Sequence, residues 1–396
     1  AVGTANSYIG IFIIMFSIIS SGMVSVMTQN IGAGRPGVAY QARQLGLLFN
    51  AVAGVLMAVF LFSGAGAILR MVGIADALYE PALIYLKIVG GGCILNAVIP
   101  IFSSYLRAFG YTKQPLYATI VGNIANFVMN AVFLFVLHKG VAGVAAATVI
   151  SKILNLCIVL YFSHKLISAK NSTERIANKT VLGQIVKVGL PSACETALYN
   201  VAMMLVIRFL NQMDAEGLNV TARSYTATIS NFSYCVGAAL AQANAIMTGW
   251  HIGAGELEEC DRGTKRAAFV GVCVAVCMET AIVLGSGFIM PLFTDNPEMT
   301  ALVRKLLAID IVLEIGRVTN LVFGQALKTS GDAVFPAVIA AVFMFVFAVG
   351  GTWLFGISMG LMAVGAYIGL ASDECVRAVG MVWRWKTGKW RTKKLV

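Results

Sequence analysis

Charge is scarce in this chain. Asp, Glu, Lys and Arg together make up 12% of its 396 residues, against roughly 25% in a soluble globular domain. Histidine is rarer still, with three copies, and the eight cysteines are scattered singly with no Cys-x-x-Cys pair. That leaves no visible zinc or disulfide framework; seven cysteines fall in apolar stretches and read as small buried residues, with Cys260 in a loop. His-Glu-x-x-His, Gly-x-Ser-x-Gly and paired intramembrane aspartates are also missing, and the histidines lie at or near helix ends. The chain is therefore expected not to be an enzyme and to use no cofactor. No stretch reads as a cleavable signal peptide.

What is present is apolar. Hydrophobic residues make up 59% and mean hydropathy is +0.83, which identifies an all-α integral membrane protein rather than a soluble domain. Runs of about 20 residues or more, each able to cross roughly 30 Å of hydrocarbon, recur near residues 5–28, 43–69, 82–106, 114–137, 140–163, 184–210, 222–248, 266–290, 300–326, 333–356 and 361–384. These eleven runs are continuously apolar and do not alternate, so helices and not barrel strands are predicted.

The formal charge of +11 does not point to nucleic acid, because its placement follows the membrane. With the C-terminus in the cytoplasm, 19 of 29 Lys and Arg lie in inner loops and the tail. Seven lie on the other side, and Lys152, Arg317 and Arg377 fall within spans. This is the positive-inside pattern. The closing "RWKTGKWRTKKLV" reads as a membrane-surface anchor with Trp383, Trp385 and Trp390 at the interface.

A repeat organises the spans. "IGAG" occurs at Ile31 and again at Ile252, 221 residues later, and the same shift carries "LRAFGYTKQP" (Leu106, Gly110, Pro115) onto "LKTSGDAVFP" (Leu327, Gly331, Pro336). Two loop motifs at one offset indicate two homologous halves. The shift places the partner of the 184–210 span upstream of Ala1, so a first helix is expected to be missing and each complete half to hold six. An even number makes the repeat parallel, about an axis along the membrane normal. The expected domains are an N-terminal lobe (1–163), a cytoplasmic linker (164–182) containing sequon-like sites at Asn171 and Asn178, a C-terminal lobe (183–385) and a basic tail (386–396).

Ionisable residues at the centre of a membrane helix cost about 2.5–3.5 kcal/mol each on insertion scales and need a reason. Glu195, in "GLPSACETALYN", falls near mid-depth beside Pro191, which has no N–H and frees a carbonyl. It reads either as a protonated carboxyl bonded to Tyr199 or a main-chain carbonyl, or as a coupling-ion or substrate site. Asp310, Glu314 and Arg317 share one helix face in "AIDIVLEIGRVTN", with Asn320 beside them. They read as a structural pair or as a cavity lining. Glu279 stands at similar depth with nothing polar near it in sequence. Asp373, Glu374 and Arg377 fit a local ion pair. In the first half Asn123, Asn126 and Asn130 form a stripe that serves interhelical hydrogen bonding or a binding site.

"QNIGAGR", "GLPSACETALYN", "EIGRVTN" with "LKTSGDAVFP", and "SDECVRAV" with "WRWKTGKW" resemble the multidrug and toxic compound extrusion (MATE) transporters over essentially the whole chain. The resemblance implies twelve helices in two six-helix lobes and a secondary antiporter that expels cationic amphipathic compounds in exchange for H+ or Na+. It further implies a monomer of the bacterial cytoplasmic membrane, with membrane lipids around it. By position it places the family's second-lobe carboxylates at Glu195 and the Asp310/Glu314 face, and a first-lobe cation site at Asn126, Asn130 and Thr148. Asn130 stands where the family carries Asp, which removes a charge and shifts the expected coupling site to the second lobe. A flippase for an anionic lipid-linked sugar is the rival reading. It calls for several cavity cations, for which only Arg317, Arg208 and Lys152 are candidates.

Overall fold

The computed structural model describes residues 2–71, 76–167, 174–214 and 216–396; the sequon at Asn171 and the centre of the expected linker lie outside them. The described residues form α1 (Val2–Gly32), α2 (Pro36–Met71), α3 (Asp76–Gly91), α4 (Cys93–Ala108), α5 (Lys113–Ala131), α6 (Gly140–Leu166), α7 (Asn178–Met213), α8 (Leu218–Ala254), α9 (Leu257–Ile289), α10 (Pro297–Ser330), α11 (Val334–Phe343) and α12 (Met362–Lys386), with no strand among them. In hydrocarbon the backbone must satisfy its own polar groups, and a helix does so within one segment. Seven stretches among the described residues are long and apolar enough to cross a membrane, from Pro36–Arg70 to Val334–Ser358. Helices α8, α10 and α12 are of similar length but fall outside that set, and they carry much of the polarity considered below. The third expected span is two helices, α3 and α4, interrupted at Gly92 in the Gly90–Gly91–Gly92 run, where three residues of poor helix propensity adjoin.

The 221-residue repeat is written into the backbone as well as the sequence. Gly34 and Gly255 both take positive φ (75° and 81°), as do Gly110 and Gly331 (84° and 98°). Each pair ends a helix with the same bonds: Arg35 N–H to Asn30 O and Glu256 N–H to His251 O, both 2.8 Å, then Tyr111 N–H to Leu106 O (2.9 Å) and Asp332 N–H to Leu327 O (3.0 Å). A left-handed residue after the last turn lets these carbonyls be satisfied, and glycine adopts that conformation without a Cβ penalty. Even an irregularity repeats. The π-helical turn Val132–Val136 has a counterpart in Thr352–Ser358 within a residue of that offset, while a further π-helical stretch, Met344–Val349, falls opposite plain α5.

The chain divides into two compact units, Ala1–Ala193 and Cys194–Val396. In the first, Leu61, Leu69, Leu86, Cys93 and Ala145 are fully buried around Phe16. Asn50 on α2 donates to Phe16 O (3.3 Å) and Ala97 O (3.1 Å), tying three helices through one amide. In the second, Leu306, Leu313, Ala363 and Tyr367 form one core and Val318, Val322, Met381 and Trp385 another. The outward faces are apolar: Phe135 is 75% exposed and Phe288 89%, a surface suited to lipid and not to water.

The tail corrects an expectation. Trp383 is exposed, but Trp385 and Trp390 are each only 1% exposed. Their rings stack at 4.2 Å, Trp390 Nε1 donates to Trp385 O (3.0 Å) and Trp385 Nε1 donates to Asp261 Oδ1 on α9 (2.7 Å). Arg384 grips Asp332 through two bonds and Arg391 reaches Glu258 at 2.7 Å. Leu395 is buried as well. The tail folds back onto the ends of α9 and α10, because buried indoles need partners for their N–H groups and Asp261 and the Trp385 carbonyl supply them.

Candidate functional site

The second unit gathers its polar residues on α8, α9, α10 and α12. Glu314 stands halfway along α10, about 24 Å from either end at 1.5 Å per residue. It is fully buried and pairs with Arg317 one turn on. Arg317 also approaches Glu374 of α12 at 3.7 Å and lies over the Tyr234 ring. Glu374 accepts from Asn320 Nδ2 at 3.0 Å and meets Arg377 at 2.9 Å, while Arg377 holds Asp373 through two bonds. The local pair expected at Asp373, Glu374 and Arg377 therefore exists, and Glu374 reaches beyond it to join α10. Sequence offered no sign of that second bond.

Glu279 is less isolated than its sequence neighbourhood indicates. It is fully buried on α9, beside Ser233 of α8, with Asp310, Glu314 and Arg317 within electrostatic range. Neither of its carboxyl oxygens, nor the hydroxyls of Ser230 and Ser233, nor Asp310 Oδ2, nor Glu314 Oε2, is in full hydrogen-bonding geometry among the described residues. Buried oxygens without donors are costly. No group of three or more His, Cys, Asp or Glu among the described residues is arranged to hold a metal ion.

Two adjoining cavities open beside this network. One of about 280 Å³ is lined by Tyr199, Arg223, Ser230, Asp310, Arg317, Tyr367 and Glu374; the other, about 210 Å³, by Glu195, Tyr199, Asn320, Arg317, Glu374 and Arg377. The expected residues Tyr199, Asp310, Arg317, Asn320 and Glu195 thus reach cavity walls, whereas Glu314 and Glu279 sit behind them. Glu195 lies midway along α7, which runs helical through Pro191. Its partner is neither Tyr199 nor a main-chain carbonyl: Oε2 pairs with Lys328 of α10 at 2.8 Å. Lys328 is 133 residues away in sequence, so no local pattern connects the two.

In the first unit, Asn130 Nδ2 donates to Asn126 Oδ1 (3.1 Å) and Asn126 Nδ2 donates to Ser151 Oγ of α6 (3.4 Å). Thr148 turns its hydroxyl to Val144 O in its own helix (2.9 Å). Asn126 and Asn130 are thus brought together, with Ser151 completing the chain, and Asn123 is exposed.

Long apolar helices surrounding buried, ion-paired cavities define a multispan membrane transporter. The chain matches the MatE family over residues 1–132 and 191–354 and belongs to it. YisQ of Bacillus subtilis (strain 168), described as an uncharacterized transporter, is 31% identical across 99% of this chain and 87% of its own length. Among solved structures, an outward-facing multidrug resistance MATE transporter of the MOP superfamily is similar with a TM-score of 0.88 at 19% identity, covering 98% of this chain and 87% of that one. A MOP superfamily transporter from Pyrococcus furiosus, for which a binding pocket of reverse polarity has been taken to indicate a different function, gives 0.81 at 19% identity over 98% and 87%. These structural matches establish the shared fold.

Proposed function

We propose that this protein is a secondary antiporter of the bacterial cytoplasmic membrane, with its C-terminus inside, that exports cationic amphipathic compounds in exchange for H+ or Na+. The observation carrying this reading is a surplus of buried carboxyls. Glu279, Asp310, Glu314, Asp373 and Glu374 are all buried, and the cations among them are Arg317 and Arg377, with Arg223 on the cavity wall. Five acids against three bases leave negative charge that a low-dielectric interior does not tolerate. A proton, a sodium ion or the cationic group of a substrate neutralises it, and these occupants compete for one set of oxygens. Competition is the chemical basis of exchange, provided the two access states differ in affinity for each occupant.

Glu195 belongs to the same reading. Its bond to Lys328 opens when the carboxyl is protonated, so one proton both discharges the cavity wall and releases α7 from α10. Asn126, Asn130 and Thr148 act as a neutral hydrogen-bonding surface for the transported molecule. The chain works as a monomer surrounded by lipid. The flippase alternative is disfavoured because Arg317 and Arg377 are already committed to carboxylates.

The test is efflux of a fluorescent lipophilic cation from proteoliposomes under an imposed proton or sodium gradient. Glu314→Gln and Glu195→Gln are expected to lower ion-driven efflux at least about tenfold, the effect of losing one charge-assisted bond. Undiminished efflux in both variants would remove the carboxylates from the coupling mechanism.

A further inference from the structure

A groove of about 340 Å³ lies between α10 and α12, lined by Thr319, Ala378, Val379, Val382, Trp383 and Lys386. It shares no lining residue with the two ion-paired cavities. Val379, Trp383 and Lys386 fall at i, i+4 and i+7 on one face of α12, and the first two are 69% and 58% exposed. Thr319 commits its hydroxyl to Ile315 O of its own helix at 2.8 Å, so the wall it forms asks no hydrogen bond of an occupant. From Ala378 to Lys386 the groove follows eight residues of α12, about 12 Å. That is close to the hydrocarbon depth of one leaflet, half of roughly 30 Å.

Donors without acceptors collect at its Lys386 end. The Trp383 indole N–H makes no hydrogen bond among the described residues, whereas the neighbouring indoles of Trp385 and Trp390 both do. Lys386 is exposed and in no ion pair among the described residues, and Lys389, Lys393 and Lys394, also exposed and unpaired there, follow within eight residues. The acids at this end are taken: Asp332 by Arg384, Glu258 by Arg391, and Asp261 by Lys265 and Trp385. An apolar trough that ends in unmatched positive donors fits a molecule of the converse order, an acyl chain below an anionic headgroup. Basic clusters directly after a membrane span attract anionic lipid. A lysine there lays its methylenes along apolar surface and keeps its ammonium at the interface. A cationic export substrate is repelled by these lysines, and a soluble anion has no use for the trough.

We propose that this groove binds one anionic phospholipid, its phosphate held by the Lys386 ammonium and the Trp383 N–H and one acyl chain laid along Ala378, Val379 and Val382 against Thr319. The inference does not depend on what the protein exports. A lipid seated there touches both helices that share the Asn320–Glu374 bond, so its binding stabilises the folded pair by mass action.

The test titrates the purified protein in detergent with phosphatidylglycerol or phosphatidylethanolamine of identical acyl chains, reading the first bound lipid by native mass spectrometry and the melting temperature alongside. The parent protein is expected to favour phosphatidylglycerol about fivefold, the weight of one lysine near a membrane surface, and to melt higher with it. In Lys386→Gln that ratio should fall to about one, and in Lys386→Arg it should persist. Thr319→Trp fills the trough, leaves the lysines in place and should weaken both lipids. Lipid-free melting temperatures close to the parent's confirm that the variants fold. A parent with no preference overturns the site, as does a preference unaltered in Lys386→Gln. Phosphatidylglycerol bound as tightly by Thr319→Trp as by the parent also overturns it, in favour of headgroups held on the exposed lysines alone. Displacement of phosphatidylglycerol by inorganic phosphate overturns it too, because the trough would then contribute nothing.

Discussion

Two halves built from one repeat have solved the problem of buried charge in opposite ways. The second unit holds 15 of the 18 acids and 16 of the 29 bases, and among those it buries Arg317 and Arg377 each serve two carboxyls. The first unit holds a half-buried lysine on α6, Lys152, that meets no carboxylate among the described residues and donates to the Asn96 amide of α4 at 2.7 Å. The backbone template, down to its left-handed glycines, is shared. The lesson is that the template fixes where helices turn, and substitution along their faces decides which charge each half holds.

The comparison breaks most visibly if arginine and lysine are removed in parallel. Arg317→Met leaves Glu314 and Glu374 without their common partner and is expected to cost about 3–5 kcal/mol in denaturant unfolding, the penalty for breaking a buried pair from one side. Lys152→Met leaves only the neutral Oδ1 of Asn96 unpaired, a cost of about 1–3 kcal/mol offset by the roughly 2–3 kcal/mol of insertion cost it removes, so stability should stay nearly level. If both variants lose stability alike, the two halves do not differ as described.

The tail gives the next contrast, since it packs on the second unit. Trp390→Ala deletes a fully buried stacked indole and should cost about 3 kcal/mol in melting experiments. A loss near zero would restore the reading of the tail as a loose surface anchor. Two of the left-handed glycines sharpen this further. Gly34→Ala forces a Cβ into a left-handed conformation in open space, worth about 1–2 kcal/mol. Gly331→Ala meets the same strain and also the carbonyl of Lys393, so it should cost more than Gly34→Ala.

The smallest effect lies at the opposite end of the second unit. Asp214 accepts from the N–H groups of Leu218 and Asn219, both at 2.9 Å, and from the Asn219 side chain. Burial pushes its carboxyl up, but these bonds outweigh that and hold it below the usual carboxylate range. A depressed value means the cap's contribution is complete above about pH 4 and is lost as pH falls below that through the folded-state value. Hydrogen exchange at the start of α8 should accelerate on that acid limb, and Asp214→Asn should flatten the response.

Much of this was legible in the sequence because it is local. Apolar runs of membrane length gave the helices, and Gly and Pro punctuation at a fixed offset gave the repeat. The polar face of α10 followed from 3.6-residue periodicity. What escaped was whatever joins distant segments. Glu195 meets Lys328, Glu374 meets Arg317 and Asn320, Glu279 finds Ser233, and Trp385 finds Asp261 124 residues upstream. Periodicity reports which face of a helix is polar and not which other helix will face it. The tail was misread for the same reason: aromatic and basic residues after a span look alike whether they meet lipid or protein until the indole partners are known.

The wide turns at Val132–Val136 and Thr352–Ser358 mark what the two halves share. A π turn breaks the bonding pattern of the α-helix around it. Their sequences, "VFLFV" and "TWLFGIS", have diverged, yet the turns sit within a residue of the same place in both halves. The second half adds another at Met344–Val349, where the first half continues as α5, so the shared turn belongs to the common template and the additional one to the second half alone.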